Sequence, residues 1–302
     1  MGEELLGLSG NAASVRARRC GAGGSLTTGP RGAGHWCAHR AAGCARFAPA
    51  RQGHSSRVVS TGPDHRLRLP VLRAVLLTQT FVHWQYPPDE VQKLLPDGLV
   101  VDQRDGAAWV SLTPFLMAGV RPPGLPVVPT LDAFPATNLR TYVRWPGGRD
   151  GVWFLSSEVG SAVMLAARAV GAPYHLSDLS VTTVDDTVSY AGTRRGGSPS
   201  YHLVARPGPR ITPSERDIWL CGRWRAFTWR LGTVFEIPIW HDPWVLSSAA
   251  LEDLGEDLTS AAGLSRPRGE PLVHFSHAMR NVRLGPARPS RLQDLLNLIP
   301  GT

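Results

Sequence analysis

The chain predicts a β-rich α+β fold built on a curved antiparallel sheet. Three observations carry this expectation. Apolar runs of strand length recur from about residue 70 onward, tight turns bearing Gly and Pro separate them, and no regular strand–helix–strand alternation is present. VLRAVLLTQTFVHW (71–84) is rich in β-branched and apolar residues and opens the series as a strand. Pro87-Pro88-Asp89-Glu90 then starts a short helix, because proline is tolerated in a first turn and acids favour its positive end. Val91, Leu94 and Leu95 form its buried stripe, and Pro96-Asp97-Gly98 ends it. Strands at 99–102 and 107–119 meet at the turn Arg104-Asp105-Gly106. The proline-rich stretch 121–135 reads as a long loop, of a length that usually marks a functional cover or a disordered connector. Strands at 137–145 and 152–158 follow, joined by a Pro-Gly-Gly turn.

SAVMLAARAV (161–170) is the strongest helical segment, with Ser161 placed to cap it and Gly171 to end it. Its apolarity all round predicts a helix buried inside the curve of the sheet. Strands follow at 179–184, 186–193 and 201–206, then a short helix begun by Thr212-Pro213-Ser214-Glu215. Residues 226–230 and 233–240 read as a hairpin around Gly232, and 248–258 as a small helix. A strand at 271–284 and a C-terminal helix at 290–299 complete the pattern.

The formal charge of +8 is unevenly spread. Residues 1–65 hold eight arginines against Glu3, Glu4 and Asp64, a net +5, which leaves +3 for the remainder. Basic residues thus concentrate in a Gly/Ala/Arg/Ser-rich leader without hydrophobic periodicity, and nucleic-acid binding by the folded part is not expected. The expected organisation is a disordered basic leader, 1–65, and a single domain, 66–302. The leader lacks the apolar stretch of a secretory or twin-arginine signal. Lys93 is the only lysine among 32 basic residues, the texture of GC-rich coding. We therefore expect a native start near Val58, Val59 or Val71, read from an alternative initiation codon. Cys20, Cys37 and Cys44 lie in the leader and Cys221 stands alone in the core. The spacing of His35, Cys37, His39 and Cys44 matches no standard zinc finger. A reducing, cytoplasmic location is the simplest reading, and no run of about 18 apolar residues predicts a membrane helix.

Several catalytic signatures are missing: the G-x-S-x-G elbow, H-E-x-x-H, a Walker A loop, and G-x-G-x-x-G after a strand. His274 and His277 fall on opposite faces of a strand, so they are not expected to chelate together. Lys93 follows Asp89 and Glu90 at helical spacings, which predicts a charged surface ion pair rather than a Schiff-base amine. No cofactor and no metal are expected.

Candidate pocket residues come from strand faces. In 137–145, alternation places Asn138, Arg140, Tyr142 and Arg144 on one face and Leu139, Val143 and Trp145 on the other. A polar face lining the inside of the curved sheet would let Arg140 clamp a carboxylate or enolate, with Tyr142 as neighbouring acid; a solvent-facing polar surface is the alternative. Glu158 and Glu236 sit among apolar strand residues, where a raised pKa would suit acid–base work and a rim ion pair would not. Tyr174-His175, after Pro173, can project into a cavity or pack in the core. Trp219, Trp224, Trp229, Trp240 and Trp244, with His83-Trp84 and His241, read as core.

Several blocks are distinctive when taken jointly: FVHW, LLPDGLVVDQRDGAAWVSLTPFLMAGVR, FPATNLRTYV, GVWFLSSE, the Ala-rich helix ending GAPY, and EIPIWHDPW. Together they resemble the YqjF-like family of uncharacterised bacterial proteins, related in fold to acetoacetate decarboxylase. The resemblance covers about residues 70–285. It implies a cone- or barrel-like sheet enclosing a small-molecule cavity, and Asn138, Arg140, Thr141 and Tyr142 match its pattern. Two departures stand out. Tyr174-His175 replaces the lysine pair of acetoacetate decarboxylase, which argues against imine decarboxylation, and Ala136 stands where relatives tend to carry glutamate.

The sequence thus predicts an internal pocket for a small anionic or carbonyl-bearing molecule. Asn138, Arg140 and Glu236 would bind the ligand, and Tyr142, Glu158 or Tyr174 would move protons in a lysine-independent enzyme. The alternative is a ligand carrier, sensor or protein-interaction module whose aromatic hairpin docks a partner. Neither nucleic acid nor membrane is expected as a partner, and self-association is left open. N-terminal sequencing of the cellular protein is expected to recover no peptide from residues 1–50.

Overall fold

Strand β1 (Leu72–Tyr86) governs the architecture, because its second half is buried on both faces. Val82, Trp84 and Tyr86 enter one hydrophobic core and Phe81 enters another, as the period-2 alternation of a strand requires. The computed structural model describes residues 62–127, 131–146 and 148–291, all within one compact unit, Ser56–Thr302. After β1 come α1 (Pro88–Gln92), β2 (Val100–Val101), β3 (Ala108–Arg121), β4 (Ala133–Arg144) and β5 (Asp150–Val159). A 3₁₀ segment (Ala162–Val170) leads to β6 (Tyr174–Val184), β7 (Thr187–Arg194), β8 (Ser200–Arg210) and α2 (Glu215–Cys221). β9 (Arg225–Arg230), β10 (Thr233–Trp240), β11 (Ser247–Glu256), α3 (Leu258–Ala261), β12 (Leu272–Leu284) and β13 (Arg288–Pro289) follow.

Strand pairing closes the sheet twice. Nine strands, in the order β5-β6-β7-β8-β11-β12-β1-β3-β4, form a barrel in which β4 pairs back to β5. At its other end β5 pairs with β9, through Val152 with Ala226 and Trp153 with Phe227. β9 pairs with β10, and β10 meets β12 at Ile239–Leu284 and Trp240–Arg283. A smaller ring, β5-β9-β10-β12-β1-β3-β4, therefore shares five strands with the barrel. The barrel core draws on all nine of its strands, including Leu112, Leu139, Tyr190, Leu203 and Phe275. Phe81, Trp109, Tyr142, Val152 and Ala226 fill the space on the other side of the common wall, beneath α2.

Most elements expected from the sequence are present, and the differences have identifiable causes. The sheet is mixed rather than antiparallel, since β5 runs parallel to both β6 and β9. The crossover after β5 brings the chain back in the same direction. That crossover is a 3₁₀ segment without a single buried residue, not a helix buried in the sheet. Side chains from nine strands already fill the barrel, so the small alanines lie at its edge, with only Met164 and Leu165 partly packed against Phe115, Ala136 and Val159. Gly171 ends the segment at φ 84°, as expected, while the Ser161 side chain makes no capping bond. Residues 248–258 form β11 rather than a helix, because pairing with β8 over Ser247–Glu256 overrides local preference. Asp105 and Gly106 turn with φ 57° and 75°, the hairpin geometry their sequence predicts. The leader to residue 61, with its zinc-knot residues, and positions 292–299 of the C-terminal helix lie outside the described residues.

The fork at β5 depends on Gly151. A Cβ there would stand 2.7 Å from the Arg225 carbonyl oxygen and 3.0 Å from the Phe227 ring. Backbone contact leaves no soft neighbour to yield, so Gly151→Ala should destabilise the protein by about 1–3 kcal/mol. A lowered urea midpoint at unchanged m-value would show it.

Candidate functional site

Helix α2 closes the second core and carries the first parts of the site. Ser214 and Asp217 form a capping box: the Ser214 hydroxyl accepts the Asp217 N–H, and Asp217 Oδ2 accepts the Ser214 N–H at 2.8 Å. The other carboxylate oxygen, Oδ1, accepts from His274 Nε2 of β12 at 3.1 Å. One helical turn on, Cys221 lies on the same face as Asp217 and is buried. The wall strands present Phe81 and His83 from β1, Ser111 from β3, and Arg140 and Tyr142 from β4. Cross-strand pairing of His83 with Ser111 and of Ser111 with Arg140 places these side chains on one face.

A directed chain of hydrogen bonds orders this cluster. The last turn of α2 leaves the Leu220 carbonyl free of a helical partner, and the Tyr142 hydroxyl donates to it at 2.7 Å. Tyr142 Oη then accepts from the Ser111 hydroxyl at 2.7 Å, and Ser111 Oγ accepts from His83 Nδ1 at 2.6 Å. This direction assigns the His83 proton to Nδ1 and leaves an acceptor lone pair on Nε2, 3.9 Å from Cys221 Sγ. For His274, donation to Asp217 from Nε2 leaves Nδ1 as the acceptor, and Nδ1 is buried without a partner.

Burial sets the charge state. It holds the His83 imidazole well below its usual pKa, reinforced by the coupling of its titration to that of His274 and by the fixed positive charge of Arg140. The Cys221 thiol is pushed up to about 12 by burial, and the Tyr142 phenol is raised by burial too. Burial also lowers His274 despite the opposing pull of Asp217. Beside these neutral groups stand two fixed cations, Arg223, which is paired with Asp102 and Asp150, and Arg140. Arg140 is only 9% exposed; Nη2 donates to the Leu220 carbonyl at 3.0 Å and Nε has no partner. Its guanidinium carbon lies 5.6 Å from the Phe81 ring centre and 5.8 Å from that of Tyr142. Among the described residues no carboxylate pairs with it.

The residues anticipated from the sequence fall in three places. Arg140 and Tyr142 come together, but in the second core beneath α2 rather than inside the main barrel. Asn138 is half-buried on the same strand face and contributes none of the hydrogen bonds above. Arg144 pairs with Asp102 at the wall's end. Glu158 lies at one end of the barrel, opposite Thr137, whose hydroxyl bonds to Tyr201 of the barrel core. Burial works to raise its pKa, but hydrogen bonds from Arg194, Ser177 and Ser156 outweigh this and hold it below its ordinary value. The expectation of a raised carboxyl there fails. Tyr174 packs beside Phe115, Ala136 and Val159, away from Arg140. Glu236 is bound to Arg149 and Arg225, on the strand face opposite Ile239, so it is a structural ion pair and not part of this cluster. Lys93 is exposed, as expected, although no ion pair joins it to Asp89 or Glu90 among the described residues.

His83, Cys221 and His274 are the residues that sequence reasoning missed. Their distances along the chain concealed them, and only alternation along β1 and β12 hinted at a shared face. The separation of His274 from His277 was correct: the first is buried and the second exposed. Trp219 and Trp224 build core as expected, Trp219 against Tyr142 with ring centres 4.6 Å apart, whereas Trp229 is 40% exposed. Two surface depressions, of about 440 and 500 Å³, are lined around Ser177–Ser180 and around Leu254–Asp257, and Arg140 lines neither.

Comparison with known proteins agrees with this architecture. The DUF2071 family model, an uncharacterized conserved protein, matches residues 74–280. The uncharacterized protein YqjF of Bacillus subtilis (strain 168) is 32% identical over 202 residues, 65% of this chain and 83% of YqjF. An acetoacetate decarboxylase-like enzyme from Sphingomonas wittichii RW1 aligns with a TM-score of 0.51 at 17% identity, over 76% of this chain and 98% of that one. The enduracididine biosynthesis enzyme MppR complexed with pyruvate aligns with a TM-score of 0.52 at 16% identity, over 76% and 93%. At such identities the likeness is one of fold.

Glu158 provides a pH test of the barrel end. Its folded pKa is depressed, so its contribution is present above its ordinary value of 4.5 and is lost as pH falls through the lower folded value. Glu158→Gln should therefore be less stable at neutral pH, by about 1–3 kcal/mol. It should also lose less stability than the parent on acidification below pH 4.5, read as urea midpoints across pH.

Proposed function

This chain belongs to the DUF2071 family and has the acetoacetate decarboxylase-like barrel fold, and from that premise we propose that it binds a small organic carboxylate at Arg140. The observation that carries the reading is the charge imbalance around that side chain. A guanidinium buried among Phe81, Tyr142 and α2 has one backbone acceptor, a bare Nε and, among the described residues, no counter-ion. Burying an unpaired charge is costly, and a carboxylate accepting two parallel N–H bonds would offset that cost. The Phe81 and Tyr142 rings near it suit the flat body of such a ligand.

The small keto acid in MppR complexed with pyruvate supports this ligand class through the shared fold alone. A carbonyl next to the carboxylate would lie near the Tyr142 hydroxyl, which would donate to a developing oxyanion by releasing the Leu220 carbonyl. Chemistry there would be independent of lysine, because Lys93, the only lysine of the chain, is exposed on the segment after α1. The neutral His83, with its proton on Nδ1, accepts a proton only at Nε2, on the side of Cys221 and away from Ser111. The alternative of a carrier is favoured by the burial of Arg140 and Tyr142, which would hold a ligand beside them away from solvent.

Titration of the full chain with pyruvate and with other small carboxylates, followed by calorimetry, tests the assignment. Arg140→Leu should weaken binding by about 10–100-fold, the loss of a charged hydrogen-bonded pair. Arg140→Lys, which keeps the charge but not the fork, should fall between. Equal binding by a folded Arg140→Leu protein would sink the proposal.

A further inference from the structure

We propose that His83, Cys221 and His274 form a site for a borderline-soft transition-metal ion of the Zn²⁺ class. Their ligand atoms lie within 4.8 Å of one another, and all three residues are buried. Proximity alone would be weak, since buried histidines commonly serve packing. The pattern of satisfied and unsatisfied nitrogens distinguishes this group. Each imidazole has one nitrogen committed to an oxygen: His83 Nδ1 to Ser111 Oγ, and His274 Nε2 to Asp217 Oδ1. His83 Nε2 has only the long approach to Cys221 Sγ, 3.9 Å, and His274 Nδ1 has no partner although the residue is 2% exposed. Metal-ligating histidines show this arrangement, in which an outer hydrogen bond fixes the tautomer and turns the other lone pair inward.

The donor set narrows the ion. Two imidazoles and a thiolate suit zinc or copper, and hard cations such as Mg²⁺ or Ca²⁺ prefer oxygen. Binding releases the thiol proton and leaves a thiolate beside the cation, and the Asp217 carboxylate adds negative charge behind His274. Three protein ligands leave a fourth position, as in catalytic rather than structural zinc sites. Arg140 is the nearby charge that opposes a cation. The site therefore favours a metal together with an anion, although the three ligands stand without reference to what Arg140 binds.

Cobalt(II) is the probe, because thiolate ligation gives it a charge-transfer absorption. The full chain, refolded in the presence of Co²⁺ so that burial does not bar access, should take up one equivalent with that band and show a raised melting temperature. Cys221→Ser should abolish the band while the fold, followed by circular dichroism, persists. Ser111→Ala, a milder change that frees His83, should weaken affinity by about 10–100-fold. His277→Ala, and a variant with Cys20, Cys37 and Cys44 all replaced by Ser, should bind as the parent does. Absence of uptake by the parent chain would overturn the proposal. So would a band that survives Cys221→Ser, or one that disappears with the three leader cysteines.

Discussion

A wall of strands buried on both faces is the constraint on which the rest of this protein depends. β1, β3 and β4 cannot follow the ordinary alternation of an apolar inner and a polar outer face, because each face meets a core. Val82, Val110, Leu112 and Leu139 serve the nine-strand barrel. Phe81, Trp109 and Tyr142, an odd number of positions away along the same strands, serve the smaller ring under α2. Polar side chains on the second face, His83, Ser111 and Arg140, are thereby withdrawn from water and must bond with one another or with α2. The hydrogen-bond chain that ends on the Leu220 carbonyl is the result.

Two of the polar clusters buried by this protein have opposite characters. At the barrel end, Glu158 and Arg194 neutralise each other, with Ser156 and Ser177 completing the carboxylate's contacts. Such a closed set holds structure and has little left to offer a ligand. Beneath α2, by contrast, a cation lacks an anion and a histidine nitrogen lacks a donor. Incomplete bonding in a dry interior costs stability, and it persists most readily where something else completes it.

Much of the fold was legible because strands declare themselves locally. The runs at 71–84 and 271–284, the turn at Asp105-Gly106 and the 226–240 hairpin lie close to their sequence assignments. The failures have a common physical origin in tertiary context. The alternation that grouped Arg140 with Tyr142 was read correctly, yet no local pattern tells which of two cores a face will meet. Alanine-rich 162–170 has the composition of a buried helix, but the barrel had no room for it. Glu158 and Glu236 looked alike among apolar neighbours, and arginines distant in sequence decided both. Cys221 and His274 were legible only as isolated residues, since 53 positions separate them and β11 intervenes.

Asp217 holds the start of α2 with one oxygen and the His274 ring with the other. At an isolated helix start, evolution can exchange the residue at this place freely among short acids, amides and glutamate, since each supplies an acceptor. Here that freedom is gone. An amide has a single acceptor oxygen to divide between two directions, and glutamate's extra methylene would displace one of them. Random drift that elsewhere would be silent thus becomes visible to selection at this position through two unrelated losses at once.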